Sequence, residues 1–147
     1  MPSSASGGLL QSGRLLSVLA DAGVDRSSVV RVTGPCALPA LLWLCRHGFD
    51  QVGHLRGEAC PHEDAPDALI AAHACDELGL KRLAPLARLV RPGGAMLVQL
   101  RNDAFDAAAG IDWLLRNAGF TAERRLVGER RALVVARRAE SGLRAAA

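Results

Sequence analysis

The sequence predicts an α/β fold: a three-layer, mostly parallel sheet that closes on an antiparallel C-terminal hairpin. Three observations carry that reading. Short apolar runs at 29–32, 67–72 and 95–100 have the length and content of buried strands. Stretches with apolar residues at helical spacing lie between them. Near the end, Ala122 to Val127 and Ala132 to Arg137 flank Gly128-Glu129-Arg130-Arg131 and read as an antiparallel pair. At 147 residues, 50% hydrophobic and 22% charged, the chain suits one domain with a real core. We expect that domain at 9–138, with Ser/Gly/Pro-rich 1–8 and the end, 139–147, as loose tails.

In order, Leu9 to Ala22 reads as a helix, with Leu9, Leu16, Leu19 and Leu15, Val18, Ala22 at helical spacing and Gly23 as its stop. Val29-Val30-Arg31-Val32 is a β-branched strand ending at Thr33-Gly34. Ala40 to His47 is an apolar helix, and Pro39 fits its first turn because that N–H has no helical partner. Gln51 to Leu55 is a weaker strand, followed by the acidic, turn-rich Arg56 to Pro66. Asp67 to Ala72 is a strand, Leu78 to Val90 a helix, and Arg91-Pro92-Gly93-Gly94 a sharp break before the strand Ala95 to Leu100. Asp106 to Ala118 is an amphipathic helix closed by Gly119.

No apolar run approaches the ~20 residues of a membrane-spanning helix. Met1 to Gly8 lacks the basic start and apolar core of an export signal, so a cytoplasmic protein is expected. The net charge is +3, yet Lys81 is the single lysine beside 17 arginines, and alanine is equally enriched. A GC-rich bacterial genome writes that bias into any protein, which weakens a nucleic-acid reading. With no Tyr and three Phe, base stacking is poorly provided for. Arg124, Arg130, Arg131 and Arg137 are therefore expected on a solvated hairpin face. Cys36, Cys45, Cys60 and Cys75 read as free thiols. Cys60-Pro61-His62 and His73-Ala74-Cys75 lack the spacing of a structural zinc knuckle, so no metal is expected.

This order of pieces resembles the class I S-adenosylmethionine-dependent methyltransferases from about Leu9 to Arg138. The most specific part is Leu86 to Val98, where a helix runs through Arg91-Pro92-Gly93-Gly94 into a hydrophobic strand. Asp67 to Leu78 is similar to the family's preceding strand, which ends in a His and an acid; Trp113 to Phe120 and Ala132 to Arg138 resemble its last helix and strand. The resemblance implies S-adenosylmethionine bound at the carboxyl ends of the strands, at the topological switch point. Gly34 and Cys36, in the loop Thr33 to Pro39, would form the cofactor loop, of which only Gly34 matches the family's glycines. Leu55 stands where the family places the acid that holds the ribose, with Glu58 as a stand-in. His73 would line the mouth of the cleft, or act there as a base. Asp76 and Glu77 read as acids of a helix first turn.

The stretch from Arg56 to Pro66 is too short for the helix and strand the family places there, so a sheet edge and part of the adenosine wall are missing. Pro35, Leu38 and Leu55 are expected to fill part of the cleft, with weak or absent cofactor binding. The implied protein is a non-catalytic, methyltransferase-like association or regulatory domain; a compact active methyltransferase for a small molecule or protein is the alternative. The uncovered edge at Gln51 to Leu55, or the helix Ala40 to His47, invites a homodimer.

Overall fold

The computed structural model describes residues 12–34, 37–55, 65–75, 77–101, 108–127 and 131–140. Every predicted element is present: α1 (Ser12–Asp21), β1 (Val29–Thr33), α2 (Ala37–Arg46), β2 (Gln51–His54), β3 (Ala68–Cys75), α3 (Glu77–Ala87), β4 (Ala95–Arg101), α4 (Ala108–Asn117), β5 (Phe120–Val127) and β6 (Arg131–Arg138). They form one sheet in the order β2-β1-β3-β4-β6-β5. β1 pairs in parallel with β2 and β3, β3 with β4, and β6 runs antiparallel to both β4 and β5. Of the two predicted tails, 1–8 and 139–147, residues 1–8 and 141–147 lie outside the described residues, whereas 139 and 140 are described. Ala139 donates its N–H to Gly119 O at 3.0 Å, which extends the bonded backbone one residue past β6.

Alternation along the central strands divides the core. Val30, Val32, Ala68, Ile70, Ala95, Leu97, Leu133 and Val135 face one way, against Leu15, Val18 and Leu19 of α1 and Leu44 of α2. Leu69, Ala71, Met96, Val98, Val134 and Ala136 face the other way, against Leu83, Leu86 and Ala87 of α3 and Leu115 of α4. Ala95, Met96, Leu97 and Val98 are all at most 2% exposed, as a strand buried on both faces requires. The result is helix, sheet and helix in three layers.

Local chemistry sets the ends of the elements. α1 and α2 close with the same pair of bonds: Gly23 N to Ala20 O with Val24 N to Leu19 O, and Gly48 N to Cys45 O with Phe49 N to Leu44 O. Each uses carbonyls that would otherwise have no partner, and each places an apolar residue, Val24 or Phe49, back on the core. α2 begins three residues earlier than predicted, so Pro39 is its third residue and still within the first turn. β3 runs on to Cys75 rather than stopping at Ala72, with a register shift against β4 between Ala71 and Ala74. α3 stops at Ala87 rather than Val90, and the Arg138 guanidinium donates to the carbonyls of Arg88 (2.8 Å) and Val90.

Arg137 corrects one expectation. It is only partly exposed, because its guanidinium holds Gly93 O at 2.9 Å, Ala22 O at 2.8 Å and Glu123 Oε2 at 3.0 Å. Those bonds join β6 to the turn before β4 and to the end of α1. Arg124 is exposed as predicted and meets Asp21 at 2.7 Å; the side chains of Arg130 and Arg131 lie outside the described residues.

Among the described residues nothing lies outside β2, which makes it one edge of the sheet. Its neighbour β1 carries Arg31 on the face away from α1 and α2. Arg31 reaches across to donate to Gln51 O at 3.2 Å, and a Cβ on Gly53, its register partner, would stand 3.4 Å from the guanidinium. A charge spread over an edge strand is one way to discourage pairing with another sheet.

Candidate functional site

The chain leaves β1 toward β2 on one side and reaches β3 on the other, so the switch point lies between β1 and β3. In open α/β sheets the crevice outside the carboxyl ends of the strands at that point is where ligands bind. Thr33, 7% exposed, ends β1, and Gly34 follows with φ +110°. That conformation strongly favours glycine and leaves no side chain between the backbone and a ligand. Pro35 and Cys36 lie outside the described residues.

The end of β2 is different. Leu55 is 6% exposed and belongs to the apolar cluster of Leu69, Ala71 and Val98. Its N–H donates to Val32 O at 2.9 Å, which extends the β1–β2 ladder by one bond. The position where the resemblance places a carboxylate is therefore part of the core. Glu58 lies outside the described residues. His73 sits in the second half of β3, within the irregular stretch between Ala71 and Ala74, so the backbone carries it toward the carboxyl end of the strand. Its side chain, and that of Cys75, are outside what is described, as are Cys60, His62 and Asp76. Among the described residues no group of His, Cys, Asp or Glu is placed to hold a metal.

Leu38 is a correction. It was expected to fill the crevice, but it is 65% exposed. The reason is the earlier start of α2: Ala37 and Leu44, seven apart, take the buried face, which leaves Leu38 and Leu42, four apart, on the outside. Of the three expected fillers only Leu55 is seen to be buried; Pro35 is not among the described residues.

Sequence reading missed two polar groups. Gln99 is fully buried in β4, beside Ala74 of β3 and Leu133 of β6. A lone amide inside the run Ala95 to Leu100 was the available signal. Asp67 was read as the first residue of a strand and is instead a tie at the opposite, amino end of the sheet. Its Oδ2 accepts Val29 N at 2.7 Å, and Arg91 Nε stands 2.6 Å from Oδ1 as an ion pair rather than an aligned hydrogen bond. Nearby, the Ser27 hydroxyl and N–H, with the Ser28 hydroxyl, donate to Asp25 and hold its carboxyl below the usual carboxylate range. These contacts join loops to strands and stand well away from the crevice. Among the described residues, no helix is long and apolar enough to cross a membrane.

No protein-family model matches the chain, and no curated protein sequence does. Solved structures do match. A SAM-dependent methyltransferase from Aquifex aeolicus superposes with a TM-score of 0.60 at 17% identity, over 83% of this chain and 88% of that one. Magnesium protoporphyrin IX methyltransferase from Synechocystis PCC 6803, with bound SAH, gives 0.60 at 12% identity over 85% and 80%. Fibrillarin from Aeropyrum pernix, with natively bound S-adenosyl-L-methionine, gives 0.53 at 19% identity over 84% and 61%. At such identities the likeness is one of fold. The chain has the class I S-adenosylmethionine-dependent methyltransferase fold, in a shortened form.

Proposed function

We propose that this is a methyltransferase-like domain with a degenerate cofactor crevice, which acts through protein association or regulation rather than methyl transfer. Leu55 carries the reading: a buried leucine in the apolar core stands where the fold's cofactor-binding members would need an acid for the ribose. Losing a charged hydrogen bond of that kind costs about 1.5–3 kcal/mol, or one to two decades of affinity. The short connection from Arg56 to Pro66 lowers enclosure further. The residues present thus fit S-adenosylmethionine poorly. A bound ligand at about a hundred times its Kd raises stability by about 2.7 kcal/mol. Thermal melting is accordingly expected to show no shift in Tm with S-adenosylmethionine or S-adenosylhomocysteine at low micromolar concentrations, and a rise at millimolar ones only if it does not saturate in the micromolar range; a rise that saturates in the low micromolar range would overturn the reading.

The compact active enzyme is the second reading, and Gly34 favours it. Its φ of +110° preserves the close-approach backbone at the end of β1, and two of the structural neighbours hold SAH or S-adenosylmethionine. Transfer of a labelled methyl group to a small molecule or protein, together with the Tm rise, would establish it.

As the partner we propose a second copy of the chain. Leu38 and Leu42 are 65% and 48% exposed on α2, which flanks the edge strand β2. Arg31 opposes strand-to-strand pairing at that edge, so the α2 face is the favoured contact. Light scattering should report a dimer that the double substitution Leu38→Asp, Leu42→Asp converts to a monomer with an unchanged circular dichroism spectrum. A clean monomer of the unaltered chain at high concentration would contradict this.

A further inference from the structure

Between α3 and α4, on the sheet face away from α1 and α2, lies a groove of about 260 Å³. Its apolar floor is Leu83, Ala87, Met96 and Leu115, all buried. Trp113, 62% exposed, stands on one wall, while Lys81 and Arg88 stand on the other. The described residues that line it include these two cations and no carboxylate. The positive charge continues along the exposed side of α3, where Lys81, Arg82, Pro85 and Arg88 are all exposed. Just past α3, the carbonyls of Arg88 and Val90, which would repel an anion, accept from the Arg138 guanidinium.

We propose that this groove docks an acidic segment of a partner protein, which seats one apolar side chain between the helices while its carboxylates face Lys81 and Arg88. Three features select that occupant. Small-molecule sites usually enclose about 300–1,000 Å³; this groove is smaller, on the scale of an anchor side chain from a partner. Among the described residues its rim carries charge of one sign, which selects the opposite sign in what it meets. Its shape is concave. A membrane surface takes up apolar groups that protrude, whereas a groove receives a group inserted into it. The inference extends the association reading given above, yet it uses a surface toward the amino end of β4, opposite the crevice. Cofactor binding and docking at this groove can therefore succeed or fail independently.

The test is selection from a random peptide library displayed on phage against the full chain, with counter-selection on the double variant Lys81→Glu, Arg88→Glu. Both side chains are exposed, and an unchanged Tm will show that the variant folds. Enriched peptides are then synthesised and titrated against the chain in a Trp43→Phe background, so that Trp113 is the only tryptophan reporting. The expected result is an enriched pattern of acidic residues around one aromatic or leucine anchor. Binding should change Trp113 emission, and affinity should fall about tenfold or more in the double variant. Peptides without acidic residues, equal binding to the double variant, or no enrichment would overturn the proposal. So would a Trp113 response to phosphatidylglycerol-containing vesicles or to single-stranded DNA where acidic peptides give none.

Discussion

Replacing Gly94 by alanine is expected to destabilise the domain by about 3 kcal/mol, the upper range for forcing an extra group into a filled site. A Cβ there would stand 2.6 Å from Val90 Cγ1, 2.7 Å from Asp67 O and 2.9 Å from Arg91 O. The valine could turn aside; the two carbonyls could not. Asp67 O already accepts Ala95 N at 3.0 Å, and Arg91 O accepts Gly94 N at 2.9 Å, so moving either one breaks the turn that feeds β4. β4 is the strand whose residues are buried on both faces, and a shift at its first residue propagates into both halves of the core. Urea unfolding checks this: the midpoint should fall sharply with little change in m. A variant within about 0.5 kcal/mol of the unaltered protein, the range of an ordinary surface change, would show that this turn has room the structure denies it.

Asp67→Ala is expected to cost about 1.5–3 kcal/mol, the range for a hydrogen bond to a charged group, here to a half-buried donor. Its carboxylate holds the first N–H of β1 at 2.7 Å, while its own N–H donates to Val29 O at 2.7 Å. The start of β1 is thus fastened to the start of β3 on both sides. Arg91→Ala removes only the ion pair, whose arginine side chain is 61% exposed. That change should cost less than about 1 kcal/mol, as exposed pairs do. Comparing the two variants separates the backbone tie from the charge contact. Equal losses would mean that the ion pair, and not the bond to Val29, holds the corner.

The strand and helix pattern was legible because the apolar periodicities are strong and the breaks at Gly23, Gly48, Pro92-Gly93-Gly94 and Gly119 fall between them. The shortening was legible only through the resemblance, which places a helix and a strand where Arg56 to Pro66 has too few residues for both. Individual side chains were harder to place. Leu38 was set in the crevice because α2 was started at Ala40; three residues of helix turn the side chain by most of a revolution. Arg137 was read as solvated because charge alone carries no record of which carbonyls lie within reach. Its partners Ala22 and Gly93 are distant in sequence and meet it only once the sheet is formed. At the site itself, Gly34 was assigned to the cofactor loop after β1 only through the resemblance, and its φ of +110° is legible from the backbone alone; the burial of Leu55 likewise depends on how β2 packs against Leu69, Ala71 and Val98.

On the proposed reading, the crevice at the carboxyl ends of the strands around β1 has lost its hold on S-adenosylmethionine. Calorimetric titration of the purified chain with S-adenosylmethionine tests it most directly. The expected result is no saturable heat, or binding weakened by at least one to two decades through the missing ribose carboxylate, about 1.5–3 kcal/mol. Saturable binding with a Kd in the low micromolar range, about −8 kcal/mol, and weakened by Gly34→Val, would contradict it and restore the enzyme.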